Sequence, residues 1–113
     1  MSDCIFCRIA AGEIPATRVY EDEEILGFLD ISPEAPVHIL VIPRKHISSL
    51  NDLSPEDSAL AGRMLIAAAR IAGEQGIAQS GYRVLTNTGP DSGQAVDHLH
   101  FHVLGGRKLG KLG

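Results

Sequence analysis

Six residues near the C-terminus, His98-Leu99-His100-Phe101-His102-Val103, alternate an imidazole with an apolar side chain. A period of two belongs to an extended strand, where alternate side chains share a face, and Phe and Val favour that state. The pattern predicts a strand over Val96 to Leu104 with three imidazoles on one side. A strand rises about 3.3 Å per residue, so neighbouring histidines stand roughly 6.6 Å apart at Cα and the outer pair roughly 13 Å. Zn–N bonds are only about 2.0–2.1 Å long. Two neighbours can share one metal, but three on a regular strand cannot readily do so, and at least one imidazole must have a separate job. Imidazole serves near neutral pH as nucleophile, acid, base or ligand. The segment therefore reads as a metal site or a histidine-based catalytic strand. A chance row of solvent-facing histidines fits less well, because Ala95-Val96 and Val103-Leu104 on its flanks are apolar.

The rest of the chain supplies partners for such a strand. Ile5 to Ala11 reads as a short helix stopped by Gly12. Arg18-Val19-Tyr20 and Glu24 to Asp30 read as strands, with Glu21-Asp22-Glu23 as the turn between them. Val37 to Ile42 is a strand that Pro43 ends. Ser54 to Gln75 is the clearest helix. Ser54 suits the N-cap, Pro55 the first position, and Glu56 and Asp57 the positive end of the dipole. Leu60, Met64, Ala68 and Ile71 make its apolar stripe, and Gly76 its stop. Tyr82 to Asn87 is another strand, and Thr88 to Gly93 a loop. Five strands, one long helix, a short N-terminal helix and short connections predict an α+β fold with a five-stranded antiparallel sheet, as one domain over residues 1–113.

Composition narrows the function classes. The formal charge is −4 and the Lys and Arg residues do not cluster along the sequence, which argues against nucleic-acid binding. Met1 to Cys7 lacks the basic and apolar regions of a signal peptide, and the apolar run Val37 to Ile42 is too short to span a membrane. A cytoplasmic protein is expected, with Cys4 and Cys7 as thiols or metal ligands rather than a structural disulfide.

Cys4-x-x-Cys7 is half of a zinc site. His46 and His98 are candidates to complete it, since each lies at or beyond the end of a strand pattern; packing of both cysteines in the first helix is the alternative. His38 shares a strand face with Leu40 and Ile42, as a core histidine often does. The loop Thr88 to Gln94 runs directly into the histidine strand. Its Gly93 permits close backbone approach, so the N–H groups around Gly93 and Gln94 could form an anion pocket beside His100.

His98-x-His100-x-His102 followed by Val103-Leu104-Gly105-Gly106-Arg107 resembles the signature of the histidine triad (HIT) family. So do Asp30-Ile31-Ser32-Pro33, Ala35 through Pro43, and Gly93-Gln94-Ala95-Val96, in the same order from Ile5 to Arg107. The Leu-Gly-Gly-Arg ending is most similar to the Hint branch, the purine nucleoside phosphoramidases. The resemblance implies an enzyme that binds a purine nucleotide, AMP or GMP derivatives, and cleaves its α-phosphate from a leaving group without a catalytic cofactor. It implies that His100 is the nucleophile and that His38 orients and polarises it. Ile5, Phe6 and Ile9 would surround the base, with Phe28 and Ile31 nearby, and Asp30 would accept from the ribose hydroxyls. Asn87, Gly93, Gln94 and His102 would surround the phosphate. It also implies a homodimer and, as in some bacterial members, a structural zinc on Cys4, Cys7, His46 and His98. Zinc at His98 would leave the other two imidazoles free.

The chain departs from that pattern at three places. Ala95 replaces a serine that can touch the phosphate or leaving group, Asp97 replaces a common tyrosine, and the chain stops at Gly113 without a tryptophan. Three further readings compete with a phosphoramidase: a dinucleoside polyphosphate hydrolase, a nucleotide-binding adaptor with weak catalysis, and a metal-dependent hydrolase. The last is disfavoured because Asp97, the one carboxylate in the strand, should face away from the imidazoles.

Overall fold

The structure, a computed structural model, describes residues 3–113. In chain order its elements are α1 (Ile5–Ala10), β1 (Arg18–Glu21), β2 (Ile25–Leu29), β3 (Val37–Pro43), α2 (Ser58–Glu74), β4 (Tyr82–Leu85) and β5 (Phe101–Gly105). The strands form one antiparallel sheet in the order β1-β2-β3-β5-β4. This is the α+β class with the five-stranded sheet expected from the sequence. Among the described residues no helix is long and apolar enough to cross a membrane.

Each face of the sheet carries its own apolar layer. The stripe Leu60, Met64, Ala68 and Ile71 of α2 is buried against Ile39 and Val41 of β3 and against Leu99, Phe101 and Val103. Full burial of a side chain such as Met64 or Ile71 contributes about 1.5–3 kcal/mol relative to exposure. Gly27 lets α2 come this close, because a Cβ there would meet Ile71 Cδ1 at 2.8 Å. On the other face α1 packs Phe6 and Ile9 over Leu26, Phe28, Leu40 and Ile42. His38 shares the face of Leu40 and Ile42 by strand alternation, and His102 sits opposite Leu40 in the β3–β5 register. With only 6 residues, α1 covers part of this face, and the histidines lie on it too.

Three elements differ from expectation. The long helix begins with a single 3₁₀ turn, Pro55–Asp57, and becomes α-helical only at Ser58. Asp57 closes back on Ser54, accepting its N–H at 3.1 Å and its O–H at 3.3 Å, and this tightens the first turn. Strand β4 ends at Leu85 instead of Asn87. Most consequential, β5 begins at Phe101 instead of Val96, so His98 and His100 precede the strand and only His102 lies in it. The register would set Leu99 opposite Pro43, whose ring has no N–H to give. Leu99 N–H instead donates to the Ile47 carbonyl at 2.6 Å. The side-chain alternation survives without the ladder: Leu99, Phe101 and Val103 all enter the α2 core.

Candidate active site

Hydrogen bonds assign the tautomer of each imidazole. His100 Nδ1 lies 2.7 Å from the His98 carbonyl, which can only accept, so Nδ1 carries the hydrogen and Nε2 keeps its lone pair. Glu34 N–H donates to His38 Nδ1 at 3.0 Å, so neutral His38 carries its hydrogen on Nε2. That nitrogen is 2.9 Å from His102 Nδ1 and 3.4 Å from Asp30 Oδ2. His102 therefore accepts at Nδ1 and presents Nε2–H, a buried donor with no partner among the described residues. The His100 and His102 ring centres lie 5.0 Å apart, and the Phe6 ring stands nearly perpendicular to that of His100 with centres 5.1 Å apart. Neighbouring rings thus carry a lone pair on one and an unsatisfied N–H on the other. Such a pair can attack an electrophilic phosphorus and receive the charge that develops on its oxygens.

His38 does not play the part the resemblance assigned to it. It bonds to His102, and the acceptor on His100 is the main chain of His98. The register explains this, since His38 lies opposite Leu104, near His102, whereas His100 belongs beyond the opposite end of the ladder. Arg107 steadies the arrangement from behind: its Nη2 donates to the Glu34 carbonyl at 2.8 Å, and Glu34 N–H holds His38.

The predicted ligand residues divide among neighbouring surfaces. Asp30, His38, Asn87, Gly93 and His102 line one open hollow of about 410 Å³. Asp30 and Ile31 border a second, and Ile31 is almost wholly exposed at 97%. Ile5 and Ala95 line a third with Asp97, Cys4, Cys7 and His46. Phe6, Ile9 and Phe28 are buried in the small core under α1. The loop itself uses the two N–H groups at the centre of the expected anion pocket. Gly93 N–H donates to Pro90 and Gln94 N–H to Gly89, so both are used within the turn. The Gln94 amide is also engaged internally, with Ser48, Val96 and Gly89. Gln94 ties the loop to the segment after β3, and His102 Nε2–H, buried and without a partner among the described residues, is one donor free to meet an anion.

Cys4, Cys7, His46 and His98 come together, with their ligand atoms all within 4.8 Å of one another. His98 Nδ1 is 3.3 Å from Cys4 Sγ and 3.5 Å from Cys7 Sγ, and His46 Nδ1 is 3.3 Å from Cys7 Sγ. Bond lengths of about 2.3 Å to sulfur and about 2.0–2.1 Å to nitrogen give a tetrahedral S···N edge of about 3.6 Å. His98 Nε2–H donates to the Pro43 carbonyl at 2.8 Å, which leaves Nδ1 as the lone-pair atom toward the sulfurs. The cluster could bind a metal. Asp30, His38 and His102 also lie together, but there the two imidazoles are joined by a hydrogen bond, with His38 Nδ1 already engaged.

Burial, and then the neighbouring His100 and His38 rings, push His102 down to about 4. An unfolded histidine titrates near 6.5. Between those values the unfolded chain binds a proton that the folded chain refuses, so stability falls as pH drops through about 6.5 to 4. The gap is worth at most about 3–4 kcal/mol, and less for a ring that solvent partly screens. His98, lowered mainly by burial, acts in the same direction. Asp57 acts elsewhere: hydrogen bonding to Lys45 and then to Ser54 N–H holds its carboxyl low, so its contribution is lost only below about pH 4. Urea unfolding at pH 7 and pH 4.5 should show this loss, and His102→Gln should remove roughly half of it or more. An unchanged pH dependence in that variant would refute the assignment.

The arrangement has known counterparts. The family model described as HIT domain matches residues 11–109. A purine nucleoside phosphoramidase of Escherichia coli (strain K12) is 48% identical over 110 residues, covering 97% of this chain and 92% of that protein. A HIT family hydrolase from Legionella pneumophila superposes with a TM-score of 0.92 at 50% identity, covering 94% of this chain and 95% of the other. A histidine triad protein from Clostridium difficile does so with a TM-score of 0.95 at 48% identity, covering 100% and 98%. With three imidazoles arranged as above and likeness along nearly its whole length, the chain belongs to the HIT family.

Proposed function

We propose that this protein hydrolyses purine nucleoside 5′-phosphoramidates, derivatives of AMP or GMP, through a nucleotidyl intermediate on His100. One observation carries the reading. His100 is held as the Nδ1–H tautomer by the His98 carbonyl, and its ring, with a lone pair on Nε2, lies 5.0 Å from that of His102, whose Nε2–H has no partner among the described residues. The similarity to the Escherichia coli protein called a purine nucleoside phosphoramidase supports the same chemistry.

In this reading His100 Nε2 attacks the α-phosphorus, the P–N bond breaks, and the amine departs with a proton from solvent. His102 Nε2–H donates to a nonbridging oxygen; neutral at pH 7, it stabilises charge and does not act as a stored acid. Water then attacks phosphorus, the P–Nε2 bond breaks, the water's proton returns to solvent, and His100 leaves with its lone pair restored. Asp30 receives the ribose hydroxyls, while Asn87 and the Gly93 loop border the phosphate. Ile5 and Ile31, both exposed, would flank the base, with Phe6, Ile9 and Phe28 buried. Ala95 lies toward the leaving group and offers it no hydroxyl. No catalytic cofactor enters this scheme.

Structural zinc on Cys4, Cys7, His46 and His98 belongs to the same proposal, supported by the fit of the donor set. Thiolate ligands suit a reducing compartment such as the cytoplasm. We also infer a homodimer. Edge strand β4 can pair with a second copy, and α2 leaves Leu65 and Ile66 exposed at 55% and 69%. Sedimentation showing only monomer at micromolar concentration would reject it.

The function is tested by quenching the enzyme during turnover of adenosine 5′-phosphoramidate and mapping the peptide that contains His100 by mass spectrometry. An adenylyl group on that residue is expected. Hydrolysis without any adduct would overturn the scheme, and faster turnover of a dinucleoside tetraphosphate would reassign the leaving group to a phosphate chain.

A further inference from the structure

We infer that Thr86 is a positioning residue for the nucleophile: its hydroxyl holds the main chain of His100 where the sheet does not. The inference rests on the proposal that His100 attacks phosphorus. Leu85 faces His102 in the β4–β5 ladder, and the same register carried two steps on would place Asn87 opposite His100. The ladder stops at Leu85, so no strand pairing holds His100 on that side. Thr86 Oγ1 instead donates to the His100 carbonyl at 2.7 Å.

His100 is buried, and an unpartnered carbonyl there would draw the main chain toward another donor or admit water. The ring is anchored through Nδ1 to the carbonyl two residues earlier. Any rotation of this segment therefore moves the donor, the acceptor and the lone pair together. With Leu99 N–H on the Ile47 carbonyl, the segment is fixed on both sides: by Ile47 toward the loop after β3 and by Thr86 toward β4. Thr86 bonds to the main chain of His100 and not to its ring. It acts through His100, on the aim of Nε2 at phosphorus. A nucleophile displaced slightly loses rate more than it loses substrate affinity, since the nucleotide is held by other residues.

The test uses Thr86→Val, which keeps the branched shape and removes the donor, and Thr86→Ser, which keeps the donor. Each is assayed as the purified full chain with adenosine 5′-phosphoramidate, and rates are normalised to folded enzyme from the amplitude of cooperative thermal unfolding. Thr86→Val should lower kcat about tenfold with KM changed by less than about twofold. Thr86→Ser should return kcat to within about threefold of the natural protein. Rapid-quench measurement should show the loss in the rate at which the His100 adduct forms. Equal adduct rates in the natural protein and Thr86→Val would overturn the inference, as would a serine variant as slow as the valine variant. If the natural protein turned over with no adduct, the fault would lie instead with the assignment of His100.

Discussion

Replacing His100 with alanine should end the release of amine from adenosine 5′-phosphoramidate while AMP still binds. A nucleophile that forms the intermediate is not substituted by its neighbours. His102 presents an N–H and not a lone pair to the site, and the outer nitrogen of His38 is committed to His102 and Asp30. Loss of turnover by at least about 10⁴-fold is expected, in line with removal of a covalent nucleophile elsewhere. Binding should change by less than about tenfold, because ribose, base and phosphate contacts lie on other residues. The ring also packs against Phe6, so the alanine variant loses some stability; His100→Asn, which keeps a polar group near Nδ1, controls for that. Added imidazole should restore measurable turnover to the alanine variant by filling the space and supplying a lone pair. Calorimetry with AMP and a discontinuous amine assay decide the matter. Turnover of the alanine variant within tenfold of the natural protein would remove His100 from the role of nucleophile.

Side-chain chemistry was legible in the sequence, and main-chain chemistry was not. The period of two in His98–Val103 separated the imidazoles from Leu99, Phe101 and Val103, and the structure keeps that separation although only half the segment joins the ladder. The Cys4-x-x-Cys7 pair and two histidines at element ends predicted a four-residue cluster, and the fold brings all four together. What failed was the attribution of partners. His100 is oriented by a carbonyl, His38 by the N–H of Glu34, and His98 by the carbonyl of Pro43. A backbone group is the same in every residue, so nothing in the sequence marks which ones will be aimed at a ring. The anion pocket was only partly legible for a related reason: Gly93 does adopt the left-handed conformation at φ 82, but the turn this makes consumes the N–H groups of Gly93 and Gln94. Thr86 carried one faint mark, a hydroxyl ending the otherwise apolar run Val84-Leu85, at the point where the ladder stops.

Replacing Cys7 with serine should strip the protein of zinc and cost it much of its thermal stability. Cys7 Sγ lies within 3.5 Å of both His46 Nδ1 and His98 Nδ1, so it is the donor that joins the two imidazoles to the cysteine pair. A serine hydroxyl is a poor substitute for thiolate, and a three-donor remnant with one exposed histidine holds the ion weakly. The cluster ties three separate pieces of chain: α1, the loop after β3 that carries His46, and the segment before β5 that carries His98. Metal bound only by the folded state stabilises it by mass action, and a loss of about 3–4 kcal/mol follows from binding a thousandfold tighter than the free metal level. For a chain of this size that lowers Tm by roughly 10–15 °C. Elemental analysis of protein purified without chelator should find about one zinc per chain, and close to none in Cys7→Ser. A strong chelator should lower Tm of the natural protein by a similar amount and leave the serine variant unchanged. Turnover per folded molecule should suffer less than stability, because none of the four donors lines the hollow around His38 and His102. Natural protein that carries no zinc, or that melts at the same temperature with and without chelator, would show that these four side chains pack without an ion. A loss of turnover that outruns the loss of folded protein would mean that His98, whose carbonyl receives the His100 ring, needs the metal to hold its main chain in place.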